Sequence, residues 1–273
     1  MSLLEETKSL LRSHRIEPNK TLGQNFMVES QVFQKMAQYA QLSRRDTVLE
    51  IGAGLGFLTR FLSEKCKMVI AVEFDPKLVT VLREQLSCTS NVNIIEGNVL
   101  KVNVPSFNKI VSIPPYQISS RLLTWMFKKN FDRAVLIFQK EFADRLTATV
   151  GSEEYGWLTV FTHYHVEVEL LGEISKSTFY PTPKIDSTIV VLKPRRPQGA
   201  PTGEVSFQRL LQALFTRRNR TVKNAVVAYL KHKGGGETKQ ELARIVDSLH
   251  LGDKRVRELT HQDFEALANA ILK

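Results

Sequence analysis

The sequence predicts an α/β domain built on a parallel sheet with helices on both faces, followed by a small all-helical domain. Three observations predict it. Short apolar runs that do not alternate with polar residues recur between helical segments from residue 47 to residue 138, as in strands buried on both faces. A linker by composition, Pro194-Arg195-Arg196-Pro197-Gln198-Gly199-Ala200-Pro201, follows the last strand pattern. Beyond it, apolar residues fall at three-to-four spacing with no strand pattern among them. The expected domains are therefore 1–196 and 197–273.

The elements follow in order. Leu3 to Arg12 reads as a helix, and a Pro18-containing turn leads to Thr21-Leu22-Gly23-Gln24-Asn25-Phe26 and a helix from Ser30 to Tyr39. Thr47 to Ile51 is a first strand closed by glycines, with a helix from Phe57 to Ser63. Met68 to Val72 is a second strand ending on Glu73, followed by a helix from Lys77 to Leu86. Val92 to Ile95, Lys109 to Ser112 and Ala134 to Phe138 are the third, fourth and fifth strands, and helices follow the last two. Val166 to Leu171 and Ser187 to Leu192 have no helix between them, so they are expected to pair antiparallel at the sheet edge. The second domain reads as helices over Phe207–Phe215, Val222–Leu230, Gln240–Leu249 and Asp263–Leu272, with Lys231 to Gly236 as a loop.

Composition sets bounds. The 273 residues are 42% hydrophobic and 24% charged, which is ordinary for a globular chain and argues against wholesale disorder. No apolar run reaches the ~20 residues a membrane span needs. The opening Met1-Ser2-Leu3-Leu4-Glu5-Glu6 puts acids where a signal peptide has a basic region and then an apolar run. A cytoplasmic protein is expected. Cys66 and Cys88 have no CxxC partner and no His at ligand spacing, so reduced thiols are expected, without metal or disulfide. The net charge of +10 points to a polyanionic partner.

The strand ends carry the candidate ligand site. Glu50-Ile51-Gly52-Ala53-Gly54-Leu55-Gly56 follows strand one, where ligands of open α/β sheets bind. The G-x-G-x-G spacing differs from the G-x-G-x-x-G of a dinucleotide turn, which disfavours a nicotinamide enzyme. Glu73, about 20 residues on, suits a ribose diol. Asn98, after strand three, suits contact with an adenine amino group. Strand four ends in Ser112-Ile113-Pro114-Pro115-Tyr116-Gln117-Ile118-Ser119-Ser120. Prolines remove backbone donors and leave carbonyl acceptors free. Tyr116 offers a face on which a base could stack. Such acceptors suit the N–H bonds of an amine on a planar ring.

The glycine turn, Glu73 and Asn98 together resemble class I S-adenosylmethionine-dependent methyltransferases, with their Rossmann-like sheet. The whole chain resembles a narrower family, the KsgA-type ribosomal RNA adenine N6,N6-dimethyltransferases, nearest their archaeal and eukaryotic branch. The motifs that carry this are Leu22-Gly23-Gln24-Asn25-Phe26, the glycine turn, Pro115-Tyr116-Gln117-Ile118-Ser119-Ser120 and Gln139-Lys140-Glu141-Phe142-Ala143-Asp144-Arg145-Leu146. Tyr155-Gly156, Phe179-Tyr180-Pro181-Thr182-Pro183-Lys184-Ile185-Asp186-Ser187 and Phe215-Thr216-Arg217-Arg218-Asn219-Arg220-Thr221 complete them.

The resemblance implies that Gln24, Asn25, Met27, Glu50, Gly52, Gly54, Glu73, Asn98 and Ile113 line the S-adenosylmethionine site. It puts Ile113, Pro114, Tyr116 and Phe179 around the target base. It implies a small ribosomal subunit and its RNA as partner, held by Lys140, Arg145, Lys184, Arg217, Arg218, Arg220 and Lys223. Residues 197–273 carry 13 Lys and Arg against 8 Asp and Glu, which fits phosphate contacts that position without reading sequence. A loop or single-stranded adenosine is the expected target, since a paired base must flip to present N6. Direct transfer without a metal or covalent enzyme intermediate is expected, by a monomer.

Two positions depart from the family pattern. Trp157 stands where the family usually has Arg. Ile113 stands where the family has the Asn of its Asn-x-Pro-Tyr motif, so the side-chain acceptor for N6 is missing. The Pro114 carbonyl remains as one acceptor, and Ser112 would need a local shift to serve as the other. Losing one oriented transition-state hydrogen bond commonly costs ~2.7–4 kcal/mol. Two alternatives therefore stay open: a ribosome-assembly factor that binds RNA without catalysis, and a DNA adenine methyltransferase.

Overall fold

The computed structural model describes residues 2–195, 203–233, 244 and 246–272. The chain divides into two compact units, Met1–Ala143 with Glu167–Pro194, and Asp144–Val166 with Arg195–Lys273.

The first unit is built on a seven-stranded sheet. Five strands are parallel: β2 (Thr47–Ile51), β3 (Met68–Glu73), β4 (Val92–Glu96), β5 (Lys109–Ser112) and β6 (Arg133–Gln139). With β7 (Val166–Ile174) and β9 (Ser187–Pro194), the order is β4-β3-β2-β5-β6-β9-β7. β9 runs antiparallel to β6. It takes the interior place and leaves β7 at the edge, so the last two strands enter the sheet in reverse of their chain order. Val48, Leu49, Ile70, Val72, Ile110, Val111, Val135 and Ile137 are all at most 2% exposed. That is why these strands read as unbroken apolar runs. Each such side chain contributes roughly 1.5–3 kcal/mol on burial.

Helices connect the parallel strands except β4 and β5, which a loop joins, and local chemistry sets the helix starts. In α1 (Leu3–Ser13) Ser2 and Glu5 form a reciprocal capping box. After α2 (Ser30–Tyr39) and α3 (Phe57–Ser63), α4 (Pro76–Gln85) begins with Asp75 as N-cap and Pro76 in its first turn. α5 (Ser119–Met126) follows β5, and α6 (Lys140–Leu146) follows β6. A two-stranded ribbon, β1 (Phe26–Met27) against β8 (Phe179–Tyr180), has no counterpart in the sequence reading. Strands of two residues are too short to carry a period.

The second unit differs in extent from the expected domain of 197–273, because it includes Asp144–Val166 and α7 (Trp157–His165). Polar and aromatic contacts within the unit account for this. The fully buried Tyr155 donates its hydroxyl to the Leu259 carbonyl at 2.8 Å, and its ring meets Phe215 edge-on. Tyr164 donates to the carbonyl of His261, the first residue of the helix His261–Ile271. α8 (Glu204–Phe215) and α9 (Val222–Lys233) complete the described helices, and α9 covers part of the stretch expected as a loop from Lys231. Residues 196–201 of the expected linker, 234–236 of that loop and half of the expected helix 240–249 lie outside the described residues. Among the described residues no helix is long and apolar enough to cross a membrane.

Candidate active site

The carboxyl ends of β2, β3, β4 and β5 open into one cavity of about 290 Å³, held within the first unit. Its lining joins Gly23, Gln24 and Asn25 to Gly52, Gly54, Glu73 and Asn98, and these to Ile113, Pro114 and Tyr116. Most of the residues singled out for cofactor and target base therefore share a single wall.

The glycine turn lies against the β5 exit. Gly52 has φ +78°, and a Cβ there would sit 3.0 Å from Pro115 Cδ, so a side chain would push the two loops apart. Gly54 has φ +59° and lies under the Phe26 ring. The turn is fixed from β3: Gly52 N–H donates to the Val72 carbonyl at 2.8 Å, and Gly54 N–H to Glu73 Oε2 at 2.8 Å. Glu73 Oε1 accepts the amides of Phe74 and Asp75 at 2.8 and 2.9 Å. Burial nonetheless raises the Glu73 carboxyl above the usual carboxylate range, and those amides oppose the shift. Asn98 Oδ1 accepts from Leu100 N–H at 3.0 Å, which leaves its NH₂ group to face a ligand.

Glu50, Met27 and Phe179 do not line the cavity. Glu50 is 1% exposed behind the glycine turn, and its Oε2 has no hydrogen-bond partner among the described residues. Burial pushes its carboxyl up to about 8; the neighbouring Thr59 hydroxyl opposes the shift, and the charge of Glu73 adds to it. Met27 and Phe179 pair across the β1–β8 ribbon and are 4% and 2% exposed, so they back the wall rather than form it. Gln24 lines the cavity with its amide already engaged. Its Nε2 donates to Asp75 Oδ2 at 2.7 Å, and its Oε1 accepts from Asn19 N–H. It ties the loop to the N-terminus of α4. Asn25 likewise donates to the Gly23 carbonyl.

At the β5 exit, Ile113 is half-buried, lines the cavity and packs against the apolar core. Ser112 cannot replace the missing acceptor. Its hydroxyl donates to the Ile51 carbonyl at 2.6 Å and accepts the Ile51 amide at 3.1 Å, closing the β2–β5 seam beyond its last paired residues. The Pro114 carbonyl accepts no hydrogen bond from the described residues. Tyr116 is anchored by its hydroxyl to the buried Ser187 hydroxyl at 2.8 Å.

Phe74 and Arg121 also line the cavity, and the sequence reading passed over both. Phe74 is 56% exposed, which is unusual for so large an apolar side chain. Its signal was an aromatic placed directly after the acid that ends β3.

The basic residues divide into two groups. Lys140 pairs with Glu173, Lys223 pairs with Asp247 at 2.8 Å, and Arg218 donates to the Ser152 and Glu153 carbonyls at 2.7 Å each. Those three have structural partners. Arg145, Lys184 and Arg220 are exposed, Arg217 is half-buried, and none of the four has an ion pair among the described residues.

A parallel sheet closed by a reversed strand pair, with a glycine turn, an acid and an amide at successive strand ends, defines a class I methyltransferase. The ribosomal RNA adenine dimethylase family model matches residues 16–269, and the chain belongs to that family. It is 40% identical over 268 residues to a probable ribosomal RNA small subunit methyltransferase A of Thermococcus onnurineus (strain NA1), covering 96% of each chain. A relative of the same name in Methanosarcina mazei is 34% identical, with 97% of this chain and 96% of that one covered. Among solved structures, a dimethyladenosine transferase from Plasmodium falciparum superposes with a TM-score of 0.76 at 29% identity, over 89% of this chain and 95% of that one. The 23S rRNA methyltransferase ErmE gives a TM-score of 0.62 at 25% identity, over 91% and 100%.

Proposed function

We propose that the chain dimethylates N6 of two adjacent adenosines near the 3′ end of small-subunit ribosomal RNA, with S-adenosylmethionine as donor, in ribosome biogenesis. The observation that carries this reading is the single cavity joining Gly52, Glu73 and Asn98 to Pro114 and Tyr116. The small-subunit names of relatives that match along nearly the whole chain support the choice of RNA. Action in the cytoplasm, as a monomer on assembling subunits, belongs to the same reading.

The residues present fit the donor. The one lone pair left on Glu73 Oε2 can accept a ribose hydroxyl, Phe74 presents an apolar face for adenine, and the Asn98 NH₂ can reach a ring nitrogen. Gly52 and Gly54 leave room along the backbone, and the orphaned Glu50 oxygen lies behind them. Gln24 and Asn25 shape the loop at the rim. When bound, S-adenosylmethionine supplies an electrophilic methyl group. The chain then orients the acceptor: Tyr116 stacks the base, worth ~1–3 kcal/mol, and the Pro114 carbonyl holds one N6–H. Met27 and Phe179 support this wall from the core. Arg145, Lys184, Arg217 and Arg220 are left for phosphates, while Lys140, Arg218 and Lys223 are engaged by local partners.

The test is transfer of labelled methyl from S-adenosylmethionine to unmethylated small subunits, with digested RNA analysed for N6,N6-dimethyladenosine. Product from the unmodified chain is the expected result. Ile113 favours a second reading, an assembly factor with a disabled site. No product from the unmodified chain, with product from Ile113→Asn, would establish that reading instead.

A further inference from the structure

We propose that Arg121 holds a phosphate of the RNA backbone at the β5 side of the cavity mouth, beside the nucleoside that enters. The inference rests on the ribosomal RNA reading and deepens it by naming a further anchor for that substrate.

The strand order β4-β3-β2-β5 sets the exits of β3 and β5 on opposite sides of β2. The two sides carry opposite charge. At the β3 exit stand the acids Glu73 and Asp75, both engaged by local donors. Beyond the β5 exit, Arg121 lies in the first turn of α5, and it is the one cationic side chain among the described residues that line the cavity. It is exposed, and its guanidinium has no ion pair or hydrogen bond among the described residues.

Local structure does not account for this charge. The residues three and four positions away are Gln117, Ile118, Thr124 and Trp125, so no acid faces it along the helix. The helix dipole also opposes a cation in the first turn. Lys109 and Arg133, which open β5 and β6 at the other end of the sheet, are different: they are engaged by the carbonyls of Ala40 and Tyr39. A second free cation stands on the side of Arg121. The hydroxyl contact between Tyr116 and Ser187 sets the start of β9 beside the β5 exit, and the exposed Lys184 precedes Ser187 by three residues.

A nucleoside that enters a cavity base-first leaves its flanking phosphates at the mouth. The planar guanidinium can grip one of them through two parallel N–H bonds. Such a contact fixes the strand in place without reading its sequence. The carboxylate of S-adenosylmethionine is the competing anion. The exposure of Arg121 favours the phosphate, which arrives from solvent, and so does a net charge of +10 that draws a polyanion to the chain.

The experiment measures the affinity of the full chain for unmethylated small subunits, with S-adenosylhomocysteine present, over a series of salt concentrations. Arg121→Ala should weaken binding about tenfold. It should also reduce the slope of log affinity against log salt by about one. Arg121→Lys keeps the charge, so it should restore the slope while recovering only part of the affinity. Lys128→Ala removes an exposed charge just past the end of the same helix, away from the cavity, and should leave affinity within about twofold. Binding of S-adenosylhomocysteine, measured by calorimetry, should be unchanged by Arg121→Ala. Weaker binding of that ligand, not shared by its decarboxylated analogue, would assign Arg121 to the donor's carboxylate and overturn the phosphate contact. Unchanged subunit affinity and slope, or an equal loss from Lys128→Ala, would overturn it as well. If Arg121→Ala loses binding as expected but the unmodified chain forms no N6,N6-dimethyladenosine, the dimethyltransferase reading fails and the phosphate contact stands. No measurable binding of the unmodified chain to small subunits overturns both.

Discussion

The two halves of the cavity are built on different principles. On the donor side, the ends of β2 and β3 are locked by backbone groups: Gly52 to Val72, Gly54 to Glu73, and Glu73 to the two amides that follow it. On the acceptor side, Ile113-Pro114-Pro115 presents carbonyls and apolar surface, with the Ser112 hydroxyl tied into the sheet and the Tyr116 hydroxyl held by Ser187. The first half is over-determined, so its shape does not depend on a ligand. The second half has an apolar side chain, Ile113, at its strand end, and its frame is held by Ser112 and Tyr116. A site can thus keep its donor geometry while its demand on the acceptor changes, because the two halves share few hydrogen bonds.

The largest effect should come from cutting the lock on the donor side. Glu73→Ala leaves the amides of Gly54, Phe74 and Asp75 without their acceptor. A buried unpaired donor costs about 1–3 kcal/mol, and water entering through the cavity offsets part of that. We expect a loss of about 3 kcal/mol in urea-denaturation stability and at least about 100-fold weaker S-adenosylhomocysteine binding by calorimetry. Ile113→Asn should change that binding less than threefold. Equal effects from the two substitutions would break the division between the halves.

Most of the first unit's fold was legible in the sequence because it is local and periodic. Thr47–Ile51, Phe57–Ser63 and Lys109–Ser112 form where the apolar pattern put them, since strands covered on both faces leave no polar interruption. Glu73 and Asn98 were found by their places at strand ends. What escaped was non-local or short. The β1–β8 ribbon joins residues about 150 positions apart through two pairs, and this hides Met27 and Phe179 behind the wall. α7 joins the second unit through Tyr155 and Tyr164, whose partners lie about 100 residues away. Ser112 read as a spare acceptor, because no sequence pattern records that its hydroxyl is committed to Ile51. Phe74 was passed over as an ordinary apolar residue, and its exposure is a property of the fold alone.

Glu50 offers a smaller test on the same side. Its folded pKa of about 8 lies well above the usual carboxylate value of 4.5. Between those two values the folded chain holds a proton that the unfolded chain has released, so this group's contribution makes stability fall as pH rises. The slope is about 1.4 kcal/mol per pH unit, and it flattens above the folded pKa. Glu50→Gln removes the titration. The stability difference between variant and parent should therefore grow in favour of the variant by about 1.4 kcal/mol from pH 6 to pH 7, measured by denaturation at each pH. A constant difference would mean that Glu50 is ionised in the fold, and that water reaches its orphaned oxygen from the cavity.

The smallest effect belongs to the acceptor side, at Tyr116. Its hydroxyl contacts the buried Ser187 hydroxyl, while its ring lines the cavity. Anchoring, and the stacking proposed for this residue, thus fall to different parts of one side chain. Tyr116→Phe keeps the ring and leaves Ser187 without that partner, at a cost of about 1 kcal/mol in stability. Its kcat/KM should stay within about fivefold, since stacking needs only the aromatic face. Tyr116→Ala removes the face and should lose about 10- to 100-fold, in line with the worth of a base–aromatic stack. If Tyr116→Phe falls as far as Tyr116→Ala, the hydroxyl rather than the ring sets the base in place. The acceptor half would then depend on a polar partner after all, supplied through β9 rather than from the position Ile113 occupies.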